Sequence, residues 1–158
     1  TFGSLVVKYF RQSKNRISKF IYKLYDMLLI TSKNPFYKGV VGVNWVTYKI
    51  ISVNTQCIAA MLNISPTSIE STLFGPSGQF TVLGFAEITP NNFQEAGLGS
   101  FPDISEPSIK LLFHRNQKFV NKELTTQVLD DIDYQYHTKH SQNINNKISR
   151  PRYPAFSS

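Results

Sequence analysis

The chain has 158 residues, an apolar fraction of 41 % and a net charge of +7, which fit one folded domain with an extension. It contains no apolar run close to the roughly 18 residues that cross a membrane, so a membrane-spanning protein is excluded. The single Cys57 excludes a disulfide within these residues and fits a reducing compartment.

The charge is distributed unevenly. Residues 1–49 hold nine Lys or Arg and one acid, residues 50–109 hold five acids and no Lys or Arg, and residues 110–158 hold eight bases and four acids. A basic N-terminal third suits a phosphate backbone or another acidic partner. The acidic middle is a poor match for the same partner, so charge and recognition have to come from different parts of the chain.

The first elements are predicted from apolar spacing. Residues 5–10 form a first helix or strand, and residues 16–31 form a helix that Asn34-Pro35 ends. Its inward face carries Ile17, Phe20, Ile21, Leu24, Tyr25 and Leu28. Its other face carries Arg16, Lys19, Lys23 and Asp26. This basic stripe fits either an ordinary solvated surface or a phosphate contact.

Residues 39–53 are rich in β-branched and aromatic side chains, which predicts that at least part of the stretch is a strand, with Trp45 as a core anchor. The stretch 79–83 alternates loosely and is also predicted as a strand. We expect both, with residues 85–89, to pair in a small antiparallel sheet.

Residues 54–74 predict two short helices. Asn54 is a good N-cap for the first, and Pro66 suits the first position of the second. Ser65 or Thr67 can cap this second helix, and Thr67 and Glu70 have the spacing of a capping box. Glycines at 75 and 78 form the turn after it. Two helices joined by a tight turn and followed by a hairpin predict a winged helix-turn-helix. We expect one core containing Trp45, Ile58, Leu62, Ile69 and Leu73.

The remainder is divided by composition. The predicted domains are a winged helix over 1–89, a linker with an additional helical element over 90–136, and a basic extended tail over 137–158. Residues 108–120 fit a helix or a strand, and residues 124–136 fit a helix capped from Asn121.

Enzyme chemistry is not indicated. His137, His140 and Asp133 are spaced like metal ligands but lack a fourth, and the glycines at 97 and 99 are not part of a phosphate-binding loop. No nucleophile motif is present. We therefore expect a non-enzyme without cofactor, metal or small-molecule substrate.

Several segments together carry a resemblance to a known family. The most specific are Gly42-x-x-Trp45 and Ala59-x-x-Leu62-Asn63-Ile64. The others are 18–29, Asn34-Pro35, 51–54 and Gly84-Phe85. Over roughly residues 15–88 the chain resembles the initiator-binding domain, the winged-helix module of protist core-promoter proteins.

This resemblance implies an α+β fold and a nuclear protein that binds double-stranded DNA at transcription start sites, with other transcription proteins as further partners. It implies that the 66–74 helix enters the major groove and that basic residues near the start of the preceding long helix meet phosphates. The family has a basic residue in or beside the groove helix, whereas this chain has Glu70 there. The candidate DNA-binding residues are Lys14, Arg16, Lys19, Lys23, Thr67, Ser68, Ser71 and Thr72. The alternative function is a winged helix used for protein–protein contact in a larger assembly.

Overall fold

Short helices pack on one face of a small antiparallel sheet in the computed structural model, which describes residues 1–11 and 19–135. The helices are α1 Phe2–Leu5, continued by a π-helical turn Val6–Phe10, then α2 Phe20–Lys33, α3 Lys38–Val41, α4 Thr55–Leu62, α5 Gln79–Val82 and α6, residues 126–135. The strands are β1 Val43–Trp45, β2 Ile50–Asn54, β3 Phe85–Glu87 and β4 Ile109–His114. The 66–74 helix consists of a 3-10 turn Pro66–Ser68 and a π-helical segment Glu70–Phe74.

The sheet has the order β1-β2-β4-β3, with all neighbours antiparallel. The predicted strand at 79–83 is wrong, because this stretch forms α5. Phe80 and Leu83 are both buried, at 1 % and 4 % exposure, and their spacing of three belongs to a helix. The strand that lies between β2 and β3 is β4, which comes from beyond the expected domain boundary at residue 89.

The two-helix prediction for residues 54–74 is confirmed. Asn54 Oδ1 accepts hydrogen bonds from the N–H groups of Gln56 and Cys57, both at 3.1 Å. Asn63 takes the left-handed conformation (φ 59°) that ends α4, and Pro66 opens the next helix. Of the two predicted caps, Ser65 is the N-cap of this helix and Thr67 is not, so the Thr67–Glu70 capping box is wrong. The Ser65 hydroxyl donates to the hydroxyl of Ser68 at 3.0 Å.

Helix α2 begins at Phe20, with Lys19 as its N-cap, and ends at Lys33. Ile21, Leu24 and Leu28 are buried as predicted. The stretch predicted as a first helix or strand is helical. None of the helices in the described residues is long and apolar enough to span a membrane.

The main core lies between the helices and the inner face of the sheet. Ile58, Ile69 and Leu73 are buried there, as predicted. Trp45 and Leu62 pack against the same core, as predicted, but they are half-buried at its edge and not buried. Trp45 belongs to an edge strand and stacks on the ring of Phe119 with 5.5 Å between centroids, which leaves part of its indole accessible.

The segment expected as a linker covers the outer face of the sheet. Phe93, Ala96 and Leu98 pack there against Ile50 and Phe113 in a second, smaller core. Residues beyond 89 thus supply one strand and one covering layer to the sheet.

Helix α6 completes the described chain. It starts at residue 126 and is capped by Thr125, whose Oγ1 accepts a hydrogen bond from the N–H of Val128. The predicted cap at Asn121 is wrong. Leu129 and Ile132 are buried against the main core. The predicted tail and the two histidines at 137 and 140 lie outside the described residues.

Candidate nucleic-acid interface

The outer face of the 66–74 helix is polar because Ile69 and Leu73 fill its inner face. Thr67, Glu70 and Ser71 are exposed on it, and Ser68 and Thr72 are half-buried. Hydroxyls can donate to or accept from base edges and phosphates, whereas an ionised carboxylate only accepts. The four hydroxyl residues expected at the interface therefore come together on one short helix, and two of them are exposed.

The hydroxyl groups on this helix are partly engaged with each other. Ser71 Oγ donates to the backbone carbonyl of Ser68 at 3.2 Å, and Ser65 Oγ lies 3.3 Å from Thr67 Oγ1. These local bonds orient the hydroxyls and leave further lone pairs for a ligand.

Lys110 is a basic residue beside this helix that the sequence reasoning missed. Its Nζ lies 3.2 Å from Glu70 Oε1, 3.4 Å from Glu87 Oε2 and 4.7 Å from the centroid of the Phe74 ring. The side chain is 17 % exposed. The β4 strand delivers it, since residues 110, 112 and 114 alternate onto one face of the sheet. The pairing of Glu70 with Lys110 joins residues far apart in sequence, so no local signal pointed to it.

Lys19, at the start of α2, is ion-paired with α6. Its Nζ lies 3.0 Å from Asp133 Oδ2, and the lysine side chain is 39 % exposed against 9 % for the aspartate. One turn away, the Tyr22 hydroxyl donates to Asp130. Burial and the Asp130 carboxylate raise the pKa of Tyr22 to about 12, so this donor stays protonated. Helix α6 thus packs its acidic residues against the expected phosphate-binding end of α2.

Lys23 is 7 % exposed, so its predicted place on an exposed basic face is wrong. It lies one helical turn from Phe20 and Met27 and shares their side of α2, where its aliphatic stem is enclosed. Burial lowers the pKa of its ammonium group. Lys14 and Arg16, the other basic candidates, lie outside the described residues.

Aromatic contacts connect the start of α2 to the end of the 66–74 helix. The rings of Phe20 and Phe80 meet edge to face at 5.0 Å, and Phe80 stacks on Phe74 at 5.4 Å. Lys19 precedes Phe20, and Lys110 lies over Phe74. The two lysines therefore flank the same aromatic cluster next to the polar helix.

The chain matches one family model and is similar to one solved structure. The family model described as the transcription-initiator DNA-binding domain IBD matches residues 1–110. A crystal structure of the T. vaginalis IBP39 initiator binding domain, bound to the alpha-SCS Inr element, is similar at 14 % identity and a TM-score of 0.47. The similarity covers 70 % of this chain and 81 % of that one. No curated protein matches the chain.

Proposed function

Because the chain belongs to the transcription-initiator DNA-binding domain family, we propose that separate sets of its residues carry the function that defines this family. That function is sequence-specific binding of double-stranded DNA at core promoters. The family is a DNA-binding one and not a family of enzymes. We propose further that the protein acts in the nucleus, where promoters are read.

The polar outer face of the 66–74 helix supports the assignment of the residues that read the bases. Thr67 and Ser71 are exposed on it, and Ser68 and Thr72 border them. A short helix with a polar outer face and an anchored inner face is what a major groove admits. We assign the reading of base edges to these four hydroxyl side chains.

Positioning on the phosphates is assigned to other elements, since the 66–74 helix carries no basic residue. Lys19 is 39 % exposed at the start of α2 and is connected to the helix through Phe20, Phe80 and Phe74. Lys14 and Arg16 precede it in the sequence and extend the same basic stretch. Contacts of this kind supply affinity without sequence information, and their contribution falls as salt rises.

The test is selection from a pool of randomised duplexes, followed by fluorescence anisotropy on the selected duplex and on a scrambled one. The unmodified protein should enrich a defined motif and bind the selected duplex much more tightly than about 10⁻⁴ M, the weak end of non-specific binding. Ser71→Ala should reduce the difference between the two duplexes. Ser105→Ala, at an exposed loop serine outside residues 66–74, is the matched control and should leave the difference unchanged.

A protein that enriches no motif and binds every duplex no more tightly than about 10⁻⁴ M would contradict the assignment. The same winged helix would then have to serve protein–protein contact. Equal effects of the two serine substitutions would leave DNA binding in place but move the reading surface elsewhere.

A further inference from the structure

Glu70 is the one charged side chain in residues 66–74, and it stands in the middle of the outer face. It follows Thr67 by three residues and precedes Ser71, so it shares the surface of the hydroxyl groups assigned to base reading. Its side chain is 71 % exposed. A glutamate at this place would point at the groove, where the phosphates of both strands repel it.

Lys110 offsets that repulsion. Its ammonium group lies 3.2 Å from Glu70 Oε1 and is held in addition by Glu87 and by the ring of Phe74. Because Lys110 pairs with Val53 of β2 in the sheet, the backbone that carries Lys110 is fixed. Lys110 is only 17 % exposed and is held by these three neighbours. It binds one carboxylate oxygen of Glu70 and leaves the other oxygen to a ligand.

The remaining carboxylate oxygen can only accept hydrogen bonds. In the major groove the amino groups of cytosine and adenine are the donors, and adenine also presents the N7 acceptor beside its amino group. A carboxylate is repelled by that acceptor, so among the four bases it suits the N4 amino group of cytosine.

We propose that Glu70 selects cytosine at one position of the bound duplex and that Lys110 is its positioning residue. The inference rests on the proposed function, since it names the base that the same helix reads. It assigns a chemical role to the acidic residue in the 66–74 helix.

Glu70→Gln is the decisive variant because it keeps the shape and exchanges the acceptor for a group with both a donor and an acceptor. Glutamine pairs with the N6 and N7 atoms of adenine. In anisotropy titrations against duplexes that carry each base at every position of the selected motif, one position should change its preference from cytosine to adenine. The loss of preference for cytosine there should be about fivefold or more.

Glu87→Gln is the matched control. It removes the same charge from the other carboxylate on Lys110, but Glu87 lies on β3 and not on the helix. It should leave every base preference in place. Lys110→Gln should weaken the preference for cytosine without creating one for adenine. Lys110→Arg should keep the preference for cytosine, because the positive charge at this place is retained.

The inference is overturned if Glu70→Gln keeps the preference of the unmodified protein at all positions, or if Glu87→Gln causes the same change. An unmodified protein with a selected motif but no cytosine preference at any position also overturns it, while the proposed function stands. Loss of any motif in the unmodified protein is the separate result that rejects the proposed function itself. Because Glu70 is exposed, Glu70→Gln should have the melting temperature of the unmodified chain. A change in its base preference can then be attributed to the altered side chain and not to unfolding.

Discussion

Two lysines next to the proposed DNA-binding surface are both paired with carboxylates, but their partners come from different parts of the chain. Lys110 pairs with Glu70 on the 66–74 helix and with Glu87, so its charge is balanced within the residues that match the family model. Lys19 pairs with Asp133 on α6, which lies beyond the matched residues. Asp133 is almost buried, whereas Glu70 is mostly exposed.

The difference separates two uses of an ion pair. At Lys110 the carboxylate is the exposed partner, so the lysine serves to hold the acid at the surface. At Lys19 the lysine is the exposed partner, so the acid competes with any phosphate for the same ammonium group. The attraction for phosphates at the start of α2 should therefore depend on α6, and base selection on the 66–74 helix should not.

The largest expected effect comes from destabilising the region around the 66–74 helix. Leu73→Ala empties a fully buried position behind the 66–74 helix and should lower the free energy of unfolding by about 2–5 kcal/mol through the cavity it leaves. Urea denaturation followed by tryptophan fluorescence measures it. Sequence discrimination should fall with it, because Glu70 and Ser71 depend on this anchor.

Leu62→Ala is the comparison for that variant. Leu62 is half-buried at the edge of the same core, so its truncation should cost less than that of Leu73. An unchanged urea midpoint for Leu73→Ala would show that the 66–74 helix is not anchored as described.

An intermediate effect is expected from releasing Lys19. Asp133→Asn should tighten binding to matched and scrambled duplexes alike, by up to about fivefold if the pair is worth up to about 1 kcal/mol. It should also steepen the log–log dependence of affinity on salt, by the part of one phosphate contact (at most about 0.9) that Lys19 does not already make in the unmodified protein. Anisotropy across a salt series measures both.

Asp131→Asn is the matched control on α6. It removes the same charge from the same helix, but Asp131 is exposed and accepts from Gln127 at 2.9 Å. It should leave the salt dependence almost unchanged. Weaker binding by Asp133→Asn would mean that Asp133 orients Lys19 for the phosphate and does not compete with it.

The smallest effect concerns the end of β4 opposite Lys110. Burial lowers the pKa of His114 below its ordinary 6.5, its Nε2 bonds the carbonyl of Leu83 at 2.9 Å, and its Nδ1 accepts from the N–H of Lys118 at 3.3 Å. Below about pH 6.5 the unfolded chain takes up a proton that the folded chain resists. The free energy of unfolding should therefore fall as the pH drops through that value, and His114→Gln should reduce this dependence.

Denaturation midpoints at pH 7.5 and pH 5.5 would show it. A midpoint that rises on acidification in the unmodified protein and not in His114→Gln would contradict this prediction, because His114 would then stabilise the folded chain at low pH.

The elements whose signals are local could be predicted from the sequence. Asn54 caps α4 and Pro66 opens the next helix, because each effect depends on its own backbone and immediate neighbours. The inward positions of Ile69 and Leu73 follow from helical spacing alone.

The missed features depend on contacts that are distant in sequence. Residues 79–83 have a pattern that suits either a strand or a helix, and the choice is made by Phe80, which packs between Phe74, Phe85 and Phe20. The burial of Lys23 and the arrival of Lys110 beside Glu70 are also decided by neighbouring elements. No residue near Glu70 in the sequence indicates that its charge is balanced.

The central claim is that affinity for phosphates and reading of bases lie on different elements. The most direct test is the salt dependence of duplex affinity for Lys19→Ala and Ser71→Ala, on matched and scrambled duplexes. Lys19→Ala should weaken binding to both duplexes alike and flatten the log–log slope by up to about 0.9. Ser71→Ala should shrink the difference between the duplexes and keep the slope. The claim is contradicted if Ser71→Ala flattens the slope, or if Lys19→Ala changes discrimination and leaves the slope as it was.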